Sequence, residues 1–155
     1  MSSVEARLRE LGIEIPEVVP PLAAYVPAVL SGRYVYTSGQ LPMRAGELLA
    51  VGIVGADIDA DTAKECARQC AINVMAAAQS VLGGSLERVV KVVKVVGFVA
   101  SAPDFTAQPA VVNGASELFL EVFGDAGRHA RSAVGVASLP LGVPVEVEAV
   151  FEVAD

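Results

Sequence analysis

Charge is the scarcest commodity in this chain: 19% of its 155 residues are Asp, Glu, Lys or Arg, while 54% are hydrophobic and the mean hydropathy is +0.56. Soluble domains usually carry about 25% charged residues. Yet no apolar run reaches the roughly 18 residues that a membrane span requires. No basic region followed by an apolar one opens the chain either, so neither a membrane association nor a signal peptide is expected, and a cytoplasmic location is. The apolar surplus must be covered by something, and a subunit interface is the simplest cover.

Positive charge is scarcer still. Eleven Lys and Arg face 18 Asp and Glu, for a net charge of −7 and a pI near 4.7. The basic residues do not cluster, apart from Arg128, His129 and Arg131. Phosphate neutralisation drives nucleic-acid affinity, so nucleic acid is excluded as an expected partner.

Metal-ligating and nucleophilic residues are few. The two cysteines, Cys66 and Cys70, lie four apart in a helical pattern with no ligand-spaced histidines nearby, which makes them small buried hydrophobes and not a zinc site. His129 is the only histidine. A G-x-S-x-G elbow and a phosphate-cradling glycine motif are both missing, so no serine triad and no nucleotide loop is expected.

What remains is a single domain over residues 1–155, large enough for a substantial core. Residues 2–11 predict a short helix, with Ser2 or Ser3 as cap and Gly12 as stop. Pro16, Pro20, Pro21 and Pro27 forbid a helix in the next segment, where Tyr25 is either a packing anchor or the wall of a pocket. Arg33–Ser38 reads as a strand ending at Gly39, and Leu48–Val54 as its hairpin partner. A helix follows, capped by Asp61 or Thr62 and ended by Gly83-Gly84, with a face of small residues. Residues 88–100 hold seven valines; their lysines recur every three residues like a helix, but so many β-branched residues favour a strand. This strand is apolar on both faces and therefore needs a partner on its second side. A second helix spans roughly Asp104–Phe123, with Pro109 tolerable only in its first turns.

The chain closes on two strands. Residues 131–137 are small and β-branched, Leu139-Pro140-Leu141-Gly142-Val143-Pro144 breaks the run, and residues 145–153 alternate. Val145, Val147, Ala149, Phe151 and Val153 share one face, with Glu146, Glu148, Val150 and Glu152 on the other. Arg131 and these carboxylates, on neighbouring strands, make either a small-molecule site or an exposed ion pair. His129 reads as a solvated loop residue or as a titrating group beside a cleft. The resulting order, β-β-α-β-α-β-β, is α+β with two helices on one face of a mixed sheet.

In that order the sequence resembles the Rid (reactive intermediate deaminase, YjgF-like) family over most of its length. The strongest likeness is A-R-S-A-V-G-V-A-S-L-P-L-G-V-P-V-E-V-E-A, residues 130–149, with weaker ones in P-L-A-A-Y-V-P-A-V, residues 21–29, and Y-T-S-G-Q-L-P, residues 36–42. G-F-V-A-S-A-P-D-F-T, V-N-G-A-S-E and G-R-H-A-R-S resemble a longer branch of the family. The resemblance implies a chorismate-mutase-like subunit in a homotrimer with clefts between subunits. It implies hydrolysis of enamines and imines such as 2-aminoacrylate to a 2-oxo acid and ammonia, with no cofactor and no metal. Carried over, Arg131 binds the substrate carboxylate and Glu146 holds or activates the water. Tyr25 walls the cleft, Gly39 brings backbone to the ligand and Asn113 lies close by. Ala133 and Gly135 stand where many relatives carry Cys and Glu, which implies a wider, less polar pocket. Two other readings follow from the same likeness: a non-catalytic binder of small 2-oxo acids, and an endoribonuclease, which the acidity disfavours.

Overall fold

The computed structural model of the chain describes residues 3–18 and 21–155; the expectations placed on Ser2 and Pro20 lie outside them. In chain order the elements are α1 (Val4–Glu10), β1 (Ala28–Ser31), β2 (Tyr34–Thr37), β3 (Met43–Arg44), β4 (Glu47–Leu48), α2 (Ala60–Ser80), β5 (Val89–Ala100), α3 (Gln108–Phe123), β6 (Ala130–Val136) and β7 (Val145–Val153). One five-stranded sheet runs β1-β2-β7-β5-β6, antiparallel throughout except for the parallel pair β5–β6. The α+β architecture with a mixed sheet and two long helices is therefore as expected.

Strand β7 anchors the sheet because its sequence alternates without a fault. Val145, Val147, Ala149, Phe151 and Val153 are all buried, and the intervening residues are only partly so. Phe151 meets Phe119 of α3 edge-on at 5.9 Å, and Phe123 at 6.1 Å, which locks helix to sheet.

Strand β5 resolves the ambiguity of its lysines. Its register against β7 shifts between Val89 and Lys91, and again between Val92 and Lys94. Each irregularity is the kind that adds a residue to one strand, so the buried side runs Val89, Val92, Val95 and only then settles to alternation at Gly97 and Val99. A period of three thus belongs to a twice-bulged strand.

Two expectations about pairing fail. The partner of Arg33–Ser38 is not Leu48–Val54 but β1, joined through the two-residue loop Gly32-Arg33, where Gly32 has φ +60°. Leu48–Val54 does not form a strand. Only Glu47–Leu48 pairs, with Met43–Arg44; Gly52 at φ +128° then bends the chain, and Val54 makes single bridges to Ile58 and Ser101. Helix starts shift as well. Asp59, not Asp61 or Thr62, caps α2 by accepting from the Thr62 N–H at 2.7 Å, and α3 begins at Gln108 with Pro109 in its first turn. Ser3 caps α1 as expected, its hydroxyl accepting from the Ala6 N–H at 3.1 Å.

Both long helices cover the same face of the sheet, and they touch through small residues. A Cβ on Gly114 of α3 would strike the backbone carbonyl of Lys64 in α2, and one on Gly97 would lie 2.5 Å from Val112. Backbone cannot yield as a side chain can, so Gly114→Ala is expected to cost about 1–3 kcal/mol, measured as a lower urea midpoint at unchanged slope. Cys66 and Cys70 are buried in α2 as read, and burial pushes the Cys66 thiol up to about 11.

The opposite face is open and largely apolar. It presents Val29, Tyr34, Tyr36 and Val134, all exposed, beside the half-buried Val96 and Phe98. Among the described residues, no helix is long and apolar enough to cross a membrane.

Candidate functional site

Arg131 sits near the start of edge strand β6, paired in register with Val95. Val95 is fully buried beneath the helices, so Arg131 points to the helix side of the sheet, over the rim of α3. There its Nη1 donates to Asn113 Oδ1 at 2.7 Å and to Ser116 Oγ at 3.2 Å. Asn113 and Ser116 are one helical turn apart, so both face the strand. Arg131 is half-buried and takes part in none of the ion pairs found among the described residues. Its Nη1 is held from two sides, and among the described residues no carboxylate lies within ion-pair distance of it. A half-buried guanidinium so held has donors left over that suit the planar geometry of a carboxylate. The exposed ion-pair reading fails here.

His129 belongs to the same cluster. Its Nδ1 lies 2.6 Å from the Gly127 carbonyl and its Nε2 lies 2.9 Å from Ser116 Oγ, while the ring stands edge-on to Phe119 at 6.1 Å. It is tied down on both nitrogens, which corrects its reading as a solvated loop residue. The signal was its spacing: residues 129, 131 and 133 share a strand phase. Ser116 was missed altogether, and its clue was the Asn-x-x-Ser spacing on the face of α3.

Glu146 lies elsewhere. It pairs in register with Phe98, three residues beyond Val95 on the regular part of β5, so it projects from the open face. Strands β6 and β7 are not neighbours either; β5 runs between them. Within one chain, Arg131 and Glu146 therefore stand on opposite faces of the sheet, contrary to the expected juxtaposition. Glu146 instead packs on Gly39, where any Cβ would collide with its carboxylate. Gly39 in turn lines, with Tyr25, a cavity of about 920 Å³ between the N-terminal segment and α2. The residues expected to form one site thus fall into two halves: Arg131, Asn113 and Ala133 on one side, and Glu146, Gly39 and Tyr25 on the other.

Ala133 pairs with Gly97 and shares the Arg131 side of β6. Two residues on, Gly135 does not open the pocket as its small size suggests. The space where its Cβ would sit lies 2.7 Å from Gln108 Nε2 and 2.8 Å from Ser101 Oγ, and Gln108 donates to both Ser101 Oγ and the Phe105 carbonyl. A neutral amide and a hydroxyl thus stand beside Gly135, which is itself exposed, so this end of the strand is polar.

The family model described as "YjgF/chorismate_mutase-like, putative endoribonuclease" matches residues 5–152. The chain belongs to the YjgF-like family. Protein TCP17 of Trypanosoma cruzi is 47% identical over 150 residues, covering 96% of this chain and 93% of the relative. The 2-iminobutanoate/2-iminopropanoate deaminase of Dermatophagoides farinae is 33% identical over 140 residues, covering 89% and 92%. Among solved structures, the protein Atu1372 of Agrobacterium tumefaciens, whose function is described as unknown, superimposes with a TM-score of 0.89 at 45% identity, covering 97% of this chain and 92% of that one. The YjgF-like family thus includes a named deaminase, and the fold is shared along nearly the whole chain.

The electrostatics of Glu146 suit proton transfer in a YjgF-like site. Burial pushes its carboxyl above the usual value of 4.5, and the neighbouring Glu148 charge adds to the effect. A carboxyl raised on folding holds its proton more tightly in the folded chain, so stability falls as pH rises through the interval from about 4.5 to the raised value. Glu146→Gln is therefore expected to raise the melting temperature at pH 7–8 and leave it unchanged near pH 4. Equal melting shifts at both pH values would remove titration as the cause.

Proposed function

We propose that this chain is an enamine/imine deaminase. It acts on small intermediates derived from 2-amino acids, of the 2-aminoacrylate kind, and works without metal or cofactor in the clefts of a cytoplasmic homotrimer. The observation that carries this reading is the Arg131 guanidinium, gripped along one edge by Asn113 and Ser116 and otherwise unneutralised. It is built for a carboxylate, the one group that all such substrates share. The separation of Glu146 from Arg131 supports a cleft between copies, since the open apolar face requires a neighbour and a neighbour's Glu146 half-site is the missing complement.

In such a cleft the substrate carboxylate binds the free edge of Arg131. The enamine takes a proton from solvent on its terminal carbon and becomes the iminium ion, and water held by Glu146 adds to the iminium carbon as one of its protons passes to the carboxylate, which gives the neutral carbinolamine. Glu146 returns that proton to the nitrogen, and ammonia leaves as the hydroxyl proton goes back to solvent, leaving the 2-oxo acid. A carboxyl with a raised pKa accepts and returns the proton more readily near neutral pH than an ordinary one.

The test is ammonia release from 2-aminoacrylate generated in the assay by a separate enzyme. Wild type is expected to accelerate it well beyond spontaneous decay, and an unchanged rate would end the enzymatic reading. The lack of an acidic side chain at Gly135, with neutral Gln108 and Ser101 beside it, favours one second reading, a binder of 2-oxo acids without turnover. Calorimetric binding of such acids with no ammonia release is its signature. Net charge −7 argues against RNA as a ligand of the same cleft.

A further inference from the structure

Behind Arg131 lies a chain of hydrogen bonds whose direction the chemistry fixes. The Gly127 carbonyl only accepts, so His129 Nδ1, 2.6 Å away, must carry the proton. In the neutral ring Nε2 is then an acceptor, and the Ser116 hydroxyl 2.9 Å away donates to it. With its hydrogen committed, Ser116 Oγ turns a lone pair to Arg131 Nη1 at 3.2 Å. The polarity therefore runs from Arg131 through Ser116 to His129 and ends on the backbone of Gly127.

We propose that Ser116 and His129 form a positioning relay for Arg131, holding one edge of the guanidinium against α3 so that the free edge stays aligned for a carboxylate. The inference rests on the reading of Arg131 as an anion receptor and adds two residues to it. Neither is a catalytic residue: both act through the arginine. The charged groups acting on His129 are Arg131 from β6, which begins at the next residue, and Lys91 from β5; α3 contributes the uncharged Ser116 and the edge of Phe119, and Asp125 in the preceding turn is paired with Arg128 at 3.5 Å. Burial above all, and then the two cations against the Gly127 bond, keep His129 below its ordinary value of 6.5, so the neutral tautomer the relay needs is the one present at pH 7.

The single histidine makes this directly readable, since every imidazole signal in the chain is His129. The experiment combines nitrogen-15 NMR of the imidazole with calorimetric titration of pyruvate into wild type, Ser116→Ala, His129→Asn and the double variant. His129→Asn keeps a donor for the Gly127 carbonyl and loses the reach to Ser116, so it separates the relay from the local fold. Expected are an Nδ1–H tautomer and about tenfold weaker pyruvate binding in each single variant, as for a lost hydrogen bond to a charged group. The double variant should be no weaker than the singles, because the residues act in series. Melting temperatures close to wild type confirm that the variants are folded. Wild-type affinity in both single variants, or an Nε2–H tautomer, overturns the relay. A wild type that binds no pyruvate overturns the anion receptor itself and the relay with it, and shows as the absence of heat in the first titration.

Discussion

Arg131→Ala is expected to release ammonia from 2-aminoacrylate no faster than spontaneous decay while keeping its fold and assembly. The guanidinium is held on α3 by Asn113 and Ser116 and takes part in none of the ion pairs found among the described residues, so its loss removes the anchor for the substrate carboxylate. A charged pair desolvated in a cleft is worth about 2–5 kcal/mol when one member is truncated, which is about 30- to 4,000-fold in kcat/KM. The structural cost is smaller. Asn113 and Ser116 each lose one donor, but both are half-exposed and water can replace it, so stability should fall by about 1 kcal/mol. Arg131→Lys sharpens the test. Lysine restores the charge as a single point but not the planar fork, so it should recover part of the affinity and little of the alignment. Activity within twofold of wild type in Arg131→Ala, measured as ammonia release at saturating and limiting substrate, would remove Arg131 from the site.

How much of this the sequence allowed follows from which forces set each feature. The alternation of β7 is a local, period-two property of buried and exposed side chains, and it was legible residue by residue. The bulges of β5 are not local. They arise from fitting a long strand against β7 on one side and β6 on the other, and the sequence shows only their by-product, a period of three that imitates a helix. Strand β1 was hidden because four residues following Pro27 carry no pattern of their own, and pairing with β2 through Gly32 makes them a strand. The cap of α2 was misplaced by two residues because Asp59 and Asp61 are both good caps and only the path of the chain from Gly55 chooses between them. At the site, the motif around Arg131 identified the arginine, the family resemblance separately pointed to Asn113, and the structure joins them at 2.7 Å. The proximity of Arg131 to Glu146 was inferred from strands adjacent in sequence, which the insertion of β5 between them undoes. Gly135 was read as an absence, whereas a neighbouring helix had already supplied Gln108 to the space.

That separation generates the prediction with the most to lose. If each cleft takes Arg131 from one copy and Glu146 from the next, then two inactive variants should repair one another. Arg131→Ala chains keep an intact Glu146 half-site, and Glu146→Gln chains keep an intact Arg131 half-site. In a trimer assembled at random from equal amounts of both, a given cleft needs Arg131 from a Glu146→Gln chain and Glu146 from an Arg131→Ala chain, each with a chance of one half, so about a quarter of the clefts are complete. Every mixed trimer holds one complete cleft of three, so mixed trimers prepared by joint refolding, and separated from the pure ones by charge tags, should regain ammonia release at about a third of the wild-type level, whereas the same proteins mixed after assembly should regain none. The geometry leaves little room for another outcome: within one chain the two groups project from opposite faces of a continuous sheet, and no side-chain rotation carries Glu146 through β5. Verified mixed trimers with no recovered activity would mean that Arg131 and Glu146 are not paired across copies; a Glu146→Gln chain that is active by itself would mean that Glu146 takes no part in the chemistry, and that the acid serving Arg131 must be sought on the α3 side of the same chain.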